Sequence, residues 1–158
     1  LADTIRKVWN NMTTISFTIF QIPTGKKAAH HTKSGITYSS KEQRYNANSL
    51  MTEMMQYRPP EPITDPIILD VQAYFPIPVS KPAWFREAAL DGLIQHDKKP
   101  DADNVLKMLN DCMQTLQFIK NDSQIFRGHC KKGYSDKPRW EIQIRIVRNI
   151  TKKEWLEK

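Results

Sequence analysis

Cysteine is scarce in this sequence. Cys112 and Cys130 are the two present, eighteen positions apart and outside any CxxC pair, so neither a disulfide framework nor a zinc knuckle has residues to build on. A reduced, cytoplasmic setting is expected. Long apolar runs are missing as well: nothing approaches the roughly 20 apolar residues of a membrane-spanning helix, and the N-terminus lacks the basic-then-apolar order of a secretory signal. The sequence reads as a soluble intracellular protein without a membrane partner, and no small-molecule cofactor is expected. Internal repeats and low-complexity tracts do not occur. The chain opens on Leu1 rather than methionine, and residues 1–13 are read as an N-terminal extension or an added remnant, with Met12 a candidate start.

What is present is enough for one domain with a real core, since 158 residues need no disulfide or metal staple to fold. Lysine and arginine outnumber aspartate and glutamate 24 to 17, giving a formal charge of +7 and a pI near 9.4. That balance favours a polyanionic partner.

Periodicity outlines the elements. Ile15, Phe17 and Ile19 predict a strand over Ile15–Ile22, followed by a polar, basic loop from Pro23 to Gly35 that ends near Ile36–Tyr38. Ser40 with Gln43 makes a capping-box start for a helix carrying Ala47, Leu50, Met51 and Met54, which Pro59–Pro60 stops. Its methionine-rich face is expected in the core or in a dimer interface. Ile67, Leu69, Val71, Ala73 and Phe75 alternate as a half-buried strand should. Residues 76–100 read as a loop with one short helix around Trp84–Leu90, whose Trp84 and Phe85 either stack on a splayed base or, as is expected, are partly buried against the next helix. That helix runs from about Asp103 to Leu116, with Val105, Leu106, Met108, Leu109, Cys112, Met113 and Leu116 on one apolar face. Residues 123–132 are a weaker strand, Trp140–Ile146 a clear one, and the two are expected to pair antiparallel. The fold expected is α+β: a single two-layer domain over 14–148, a mixed sheet covered by helices, with a charged tail over 149–158.

The chemistry concentrates between Pro100 and Asp122. Asp101 and Asp103 stand at a helix entrance, Asn104, Lys107 and Asp111 share one helical side, and Asn121–Asp122 follow the helix. One aspartate suffices to cap a helix. Three that converged would repel unless a cation neutralised them, and hard oxygen ligands without histidine or cysteine nearby select Mg²⁺ or Mn²⁺ over zinc. Lys26, Lys27, His30, His31 and Lys33 concentrate positive charge on one loop suited to phosphate contact. His30–His31 lack a third nitrogen or sulfur ligand at a metal-site spacing.

The order Asp101-x-Asp103-Asn104-x-x-Lys107-x-x-x-Asp111, then Asn121-Asp122, is similar to the signature of RusA-type Holliday junction resolvases. Gly25-Lys26-Lys27 after the first strand and Gly35-Ile36-Thr37-Tyr38 before the first helix resemble that family's N-terminal half, with Ala28 and Ala29 where many relatives carry arginines. The resemblance covers residues 14–148 and implies a RusA-like fold. It implies that Asp101, Asp103 and Asp122 bind the metal and that Lys107 is essential to cleavage; Asn104, Asp111 and Asn121 are candidate supporting residues, with Asn121 standing where relatives often have another acid. It also implies a bacterial or phage-encoded enzyme acting on four-way junction DNA in recombination and repair. Two rivals stand beside it. A restriction-type nuclease would place its second acid and lysine on a strand, whereas Lys107 falls in a helical pattern. A noncatalytic junction- or duplex-binding protein would have no need of Lys107 beside three aspartates. Because one chain carries one acidic constellation and a junction must be cut on two strands, a homodimer is expected.

Overall fold

A computed structural model describes residues 2–3 and 12–157. Of the expected N-terminal extension, residues 1 and 4–11 lie outside the described residues, and Thr13 already opens the first strand. The elements in chain order are β1 (Thr13–Ile19), β2 (His30–His31), β3 (Thr37–Tyr38), α1 (Lys41–Met54), β4 (Ile67–Phe75), α2 (Ala83–Leu90), α3 (Ala102–Thr115), β5 (Ile125–Tyr134), β6 (Arg139–Ile146) and α4 (Lys152–Leu156). Short 3₁₀ turns follow α1 at Met55–Tyr57 and precede β5 at Asp122–Gln124.

The main sheet has the order β1-β6-β4-β5, with β1/β6 and β6/β4 antiparallel and β4/β5 parallel. Alternation along β4 places Ile67, Leu69, Val71, Ala73 and Phe75 beneath α1 and α3, where they join Phe17 and Ile19 of β1 and Trp140, Ile142 and Ile144 of β6. Leu50 and Met54 descend from α1, and Val105, Met108, Leu109, Cys112 and Met113 from α3. On the other face Arg145 pairs with Asp70, and the Arg139 guanidinium lies 4.1 Å over the Tyr74 ring. One covered and one polar face make the α+β two-layer architecture expected from the sequence.

Several expectations are corrected. β5 and β6 do not pair: they flank β4 on opposite sides, and the Ser135 N–H donates to the Phe75 carbonyl at 2.9 Å as the link passes over the end of β4. The strand that is buried almost throughout, β4, takes the centre, while the exposed and basic β5 takes an edge. The long connection bearing α2 and α3 allows β5 to run parallel to β4. The first strand ends at Ile19, where the Gln21 N–H turns back to the Ile19 carbonyl at 3.0 Å. The basic loop contains a small hairpin, β2 with β3.

Trp84 is 67 % exposed rather than buried against α3. Phe85 and buried Ala89, one turn apart, form the inward stripe of α2, and Phe85 meets Tyr134 edge-on. Leu50 and Met54, offered above as possible dimer contacts, are 1 % and 0 % exposed within one chain and so belong to its own core. The charged tail carries a short helix, α4, with a capping box between Thr151 and Glu154.

Candidate active site

Asp101 occupies the N-cap of α3 with extended backbone (φ −67°, ψ 150°), yet its side chain makes no capping hydrogen bond. Capping therefore leaves its carboxylate unexplained. The apolar stripe of α3 faces the sheet, so Asp103 and Lys107 project outward with Lys107 Nζ 3.5 Å from Asp103 Oδ2. Such an exposed i,i+4 pair adds only about 0.3–0.5 kcal/mol to the helix, too little to account for it as a structural device.

The lysine loop is clamped across this helix entrance. Gly25 packs so closely that a Cβ there would lie 2.6 Å from Pro100 Cβ and 3.2 Å from Asn104 Cβ, which requires glycine. The Lys26 N–H donates to the Asn104 carbonyl at 2.9 Å, and the Lys26 ammonium pairs with Asp111. Half-capping by Ser40, whose Oγ accepts the Gln43 N–H at 3.1 Å, leaves the Gln43 side chain free. It turns to the loop instead, and its Oε1 accepts the Lys27 N–H at 2.8 Å. Lys27 Nζ reaches Glu42 at 2.9 Å. The result is a groove of about 800 Å³ whose walls include Lys26, Lys27, Lys99, Asp101, Asn104 and Lys107.

Asn104 and Asp111 thus hold Lys26 in place. His30, His31 and Lys33 are exposed on the β2–β3 hairpin and do not line the groove; His30 stacks on Tyr38 and His31 Nδ1 lies 3.1 Å from Thr37 Oγ1. Sequence reasoning missed Lys99 and gave Gln43 only a capping role. The basic doublet Lys98–Lys99 directly ahead of Pro100 was a usable signal for the first, but nothing marked the loop contact of the second.

Asn121 and Asp122 lie elsewhere. Asn121 caps the 3₁₀ turn by accepting the Ser123 N–H at 2.9 Å, while Gln124 Oε1 accepts the Asn121 N–H at 2.9 Å. The Asp122 N–H donates to Gln114 Oε1 at 3.2 Å, at the C-terminal end of α3. β5 then runs back along α3, so that Lys132 Nζ reaches the Pro100 carbonyl at 2.9 Å. At 1.5 Å of rise per residue, Asp101 and Gln114 stand about 20 Å apart. Among the described residues no three His, Cys, Asp or Glu side chains gather in a metal-holding group. The carboxylates of one chain therefore bring Asp101 and Asp103 to one place and leave Asp122 at another, and they do not fit a shared ion. Cys112, beneath the same helix, is pushed up to about 12 by burial and by Asp111, so it is an inert thiol.

No described helix is long and apolar enough to cross a membrane. An uncharacterized protein of Bacillus subtilis strain 168, YqaN, is 40 % identical over 94 residues, which are 58 % of this chain and 66 % of that protein, just under two thirds of its length. The crossover junction endodeoxyribonuclease rusA of Lactococcus phage r1t is 32 % identical over 104 residues, 65 % of this chain and 72 % of the phage protein. The sequence pattern of the family Endodeoxyribonuclease RusA matches residues 20–145, which start just after β1 and take in the lysine loop, β2 through β5, the whole of α3 and all of β6 but Ile146. The chain belongs to the RusA endodeoxyribonuclease family.

Proposed function

We propose that the protein is a structure-selective DNA endonuclease that resolves Holliday junctions by nicking opposed strands in recombination and repair. It works as a homodimer and uses Mg²⁺, with Mn²⁺ able to replace it. The observation that carries this reading is Asp101: a carboxylate at a helix entrance that caps nothing and faces a groove lined with lysines. Four lysines on those walls, Lys26, Lys27, Lys99 and Lys107, suit a phosphate backbone. Lys107, whose Nζ lies 3.5 Å from Asp103 Oδ2, would neutralise charge that develops on the scissile phosphate. The phage relative's name extends the substrate expectation to crossover junctions.

Two features favour the dimer. Cutting two opposed strands needs two sites, and the carboxylate set that one chain leaves divided is available from two copies. The restriction-type alternative is disfavoured because Lys107 lies within α3 and not on a strand.

The test offers a synthetic mobile four-way junction, a duplex of the same sequence and a Y-fork to the purified protein. Junction cleavage with Mg²⁺ or Mn²⁺, and none with Ca²⁺ or chelator, is expected. Asp101→Asn, Asp103→Asn and Asp122→Asn should each abolish cutting while junction binding is kept or strengthened, since each removes a charge that repels phosphate. Equal cutting of duplex and junction would overturn the resolvase assignment.

A further inference from the structure

The strap from Gln95 to Pro100 that leads into Asp101 is fastened to the sheet at two points. Near its start the His96 ring lies between Phe75, with centroids 4.1 Å apart, and Tyr134, at 5.1 Å. At its end the Lys132 ammonium donates to the Lys98 carbonyl at 2.7 Å and to the Pro100 carbonyl at 2.9 Å. Two of the three donors of this lysine are thus committed to main-chain oxygens immediately ahead of Asp101. Pro100 offers no N–H of its own, and the Asp101 carboxylate makes no bond to the helix it opens. The carboxylate is therefore held by no bond of its own within the helix, and where it points follows from the path of the main chain that presents it.

We propose that Lys132 is a positioning residue for strand cleavage: by tying the Lys98 and Pro100 carbonyls to β5, it sets the direction in which the chain enters α3 and so the placement of Asp101. This inference rests on the junction-resolving function proposed above. Lys132 is not among the residues lining the groove, which separates its role from that of Lys107. Its own anchor is firm, because β5 is paired with the central strand in a register that sets Lys132 against Ala73. A supporting group on a rigid strand is what a precisely held functional side chain requires.

The test compares wild type, Lys132→Met and Lys132→Arg on the synthetic junction with Mg²⁺, with binding measured separately in Ca²⁺. Misplacement of a reacting group by about 1 Å costs on the order of 100-fold. Lys132→Met should accordingly lose about 10- to 100-fold in kcat while its junction Kd stays within about twofold. Arginine, which can donate to both carbonyls, should recover most of the rate. If Lys132→Met does not fold, Lys132→Ala, which likewise has no donor, takes its place in the same comparison. Cleavage by the Met or Ala variant at the wild-type rate overturns the proposal, as does a loss confined to Kd, which would make Lys132 a DNA contact. A wild-type protein that leaves the junction uncut overturns the resolvase reading itself, and this inference with it.

Discussion

Two inactive variants should repair each other if a carboxylate of one copy serves the site of the other. Two oxygens on one divalent ion lie within about 5 Å of each other, because each metal–oxygen bond is about 2.0–2.6 Å long. Asp101 and the Gln114 side chain that binds Asp122 are separated by about 20 Å of helix, and rotation of two short side chains does not close such a gap. Homodimers of Asp101→Asn and of Asp122→Asn are each expected to be inactive. After subunit exchange about half of the dimers are mixed. In a mixed dimer one site combines native Asp101 from one copy with native Asp122 from the other, and the second site receives both asparagines. About one quarter of all sites are then intact, and each working dimer holds one. The assay is initial nicking of a junction labelled on two opposed strands, with exchange verified by a size tag on one variant. Recovery to about a quarter of the wild-type nicking rate, with single nicks in place of paired ones, is the expected outcome. A mixture that has exchanged subunits and remains as inactive as its parents would refute the composite site.

Gly25→Ala should lower stability by about 1–3 kcal/mol, because its Cβ would lie 2.6 Å from Pro100 Cβ in a packed contact, and thermal unfolding should register a fall of several degrees. Lys107→Ala should cut poorly with binding largely kept, whereas Asp111→Asn, which releases Lys26 alone, should affect cleavage less; kcat and Kd on the junction decide the order. Burial and the nearby Lys132 hold the His96 imidazole below its usual 6.5, so the unfolded chain takes up that proton first. Stability from this residue is full above about pH 6.5 and is lost as pH falls through the lower folded value; denaturant midpoints across pH 5–8 should show a slope that His96→Gln reduces. Cys112 should resist thiol reagents in the native protein at pH 8, since burial pushes it up to about 12, and rapid labelling would contradict its placement under α3.

Local periodicity made most elements legible in the sequence. The alternation of Ile67 through Phe75 gave β4 with its bounds, and the stripe from Val105 to Met113 gave α3 to within a residue at each end. Strand order was not legible in the same way, because it depends on which strand tolerates burial on both sides. β5 reads as a weak strand next to β6 in the chain, yet its exposed basic residues suit it to an edge, and β6 rather than β5 pairs with β1. Trp84 was misjudged for a related reason. An eight-residue helix offers one inward stripe, and Phe85 with Ala89 occupies it.

The candidate site shows the same division between what spacing carries and what packing decides. That Asp101, Asp103 and Lys107 share a helix entrance follows from their positions in the chain, and so does the basic character of the loop at Gly25–Lys27. Whether Asp101 caps the helix does not follow, because aspartate is favoured at that position in either case; only the absence of a capping bond separates the two roles. The position of Asp122 is fixed by the path of the chain after α3. A motif read as one cluster assumes that the turn at Asn121 brings the chain back to the helix entrance, but the return stroke begins at the far end and meets the entrance only at Lys132. A lysine on an edge strand carries no mark in the sequence that distinguishes it from its neighbour Lys131. The antiparallel run of β5 along α3 therefore has two consequences at once: it removes Asp122 from the site of its own chain and brings Lys132 to the main chain that presents Asp101.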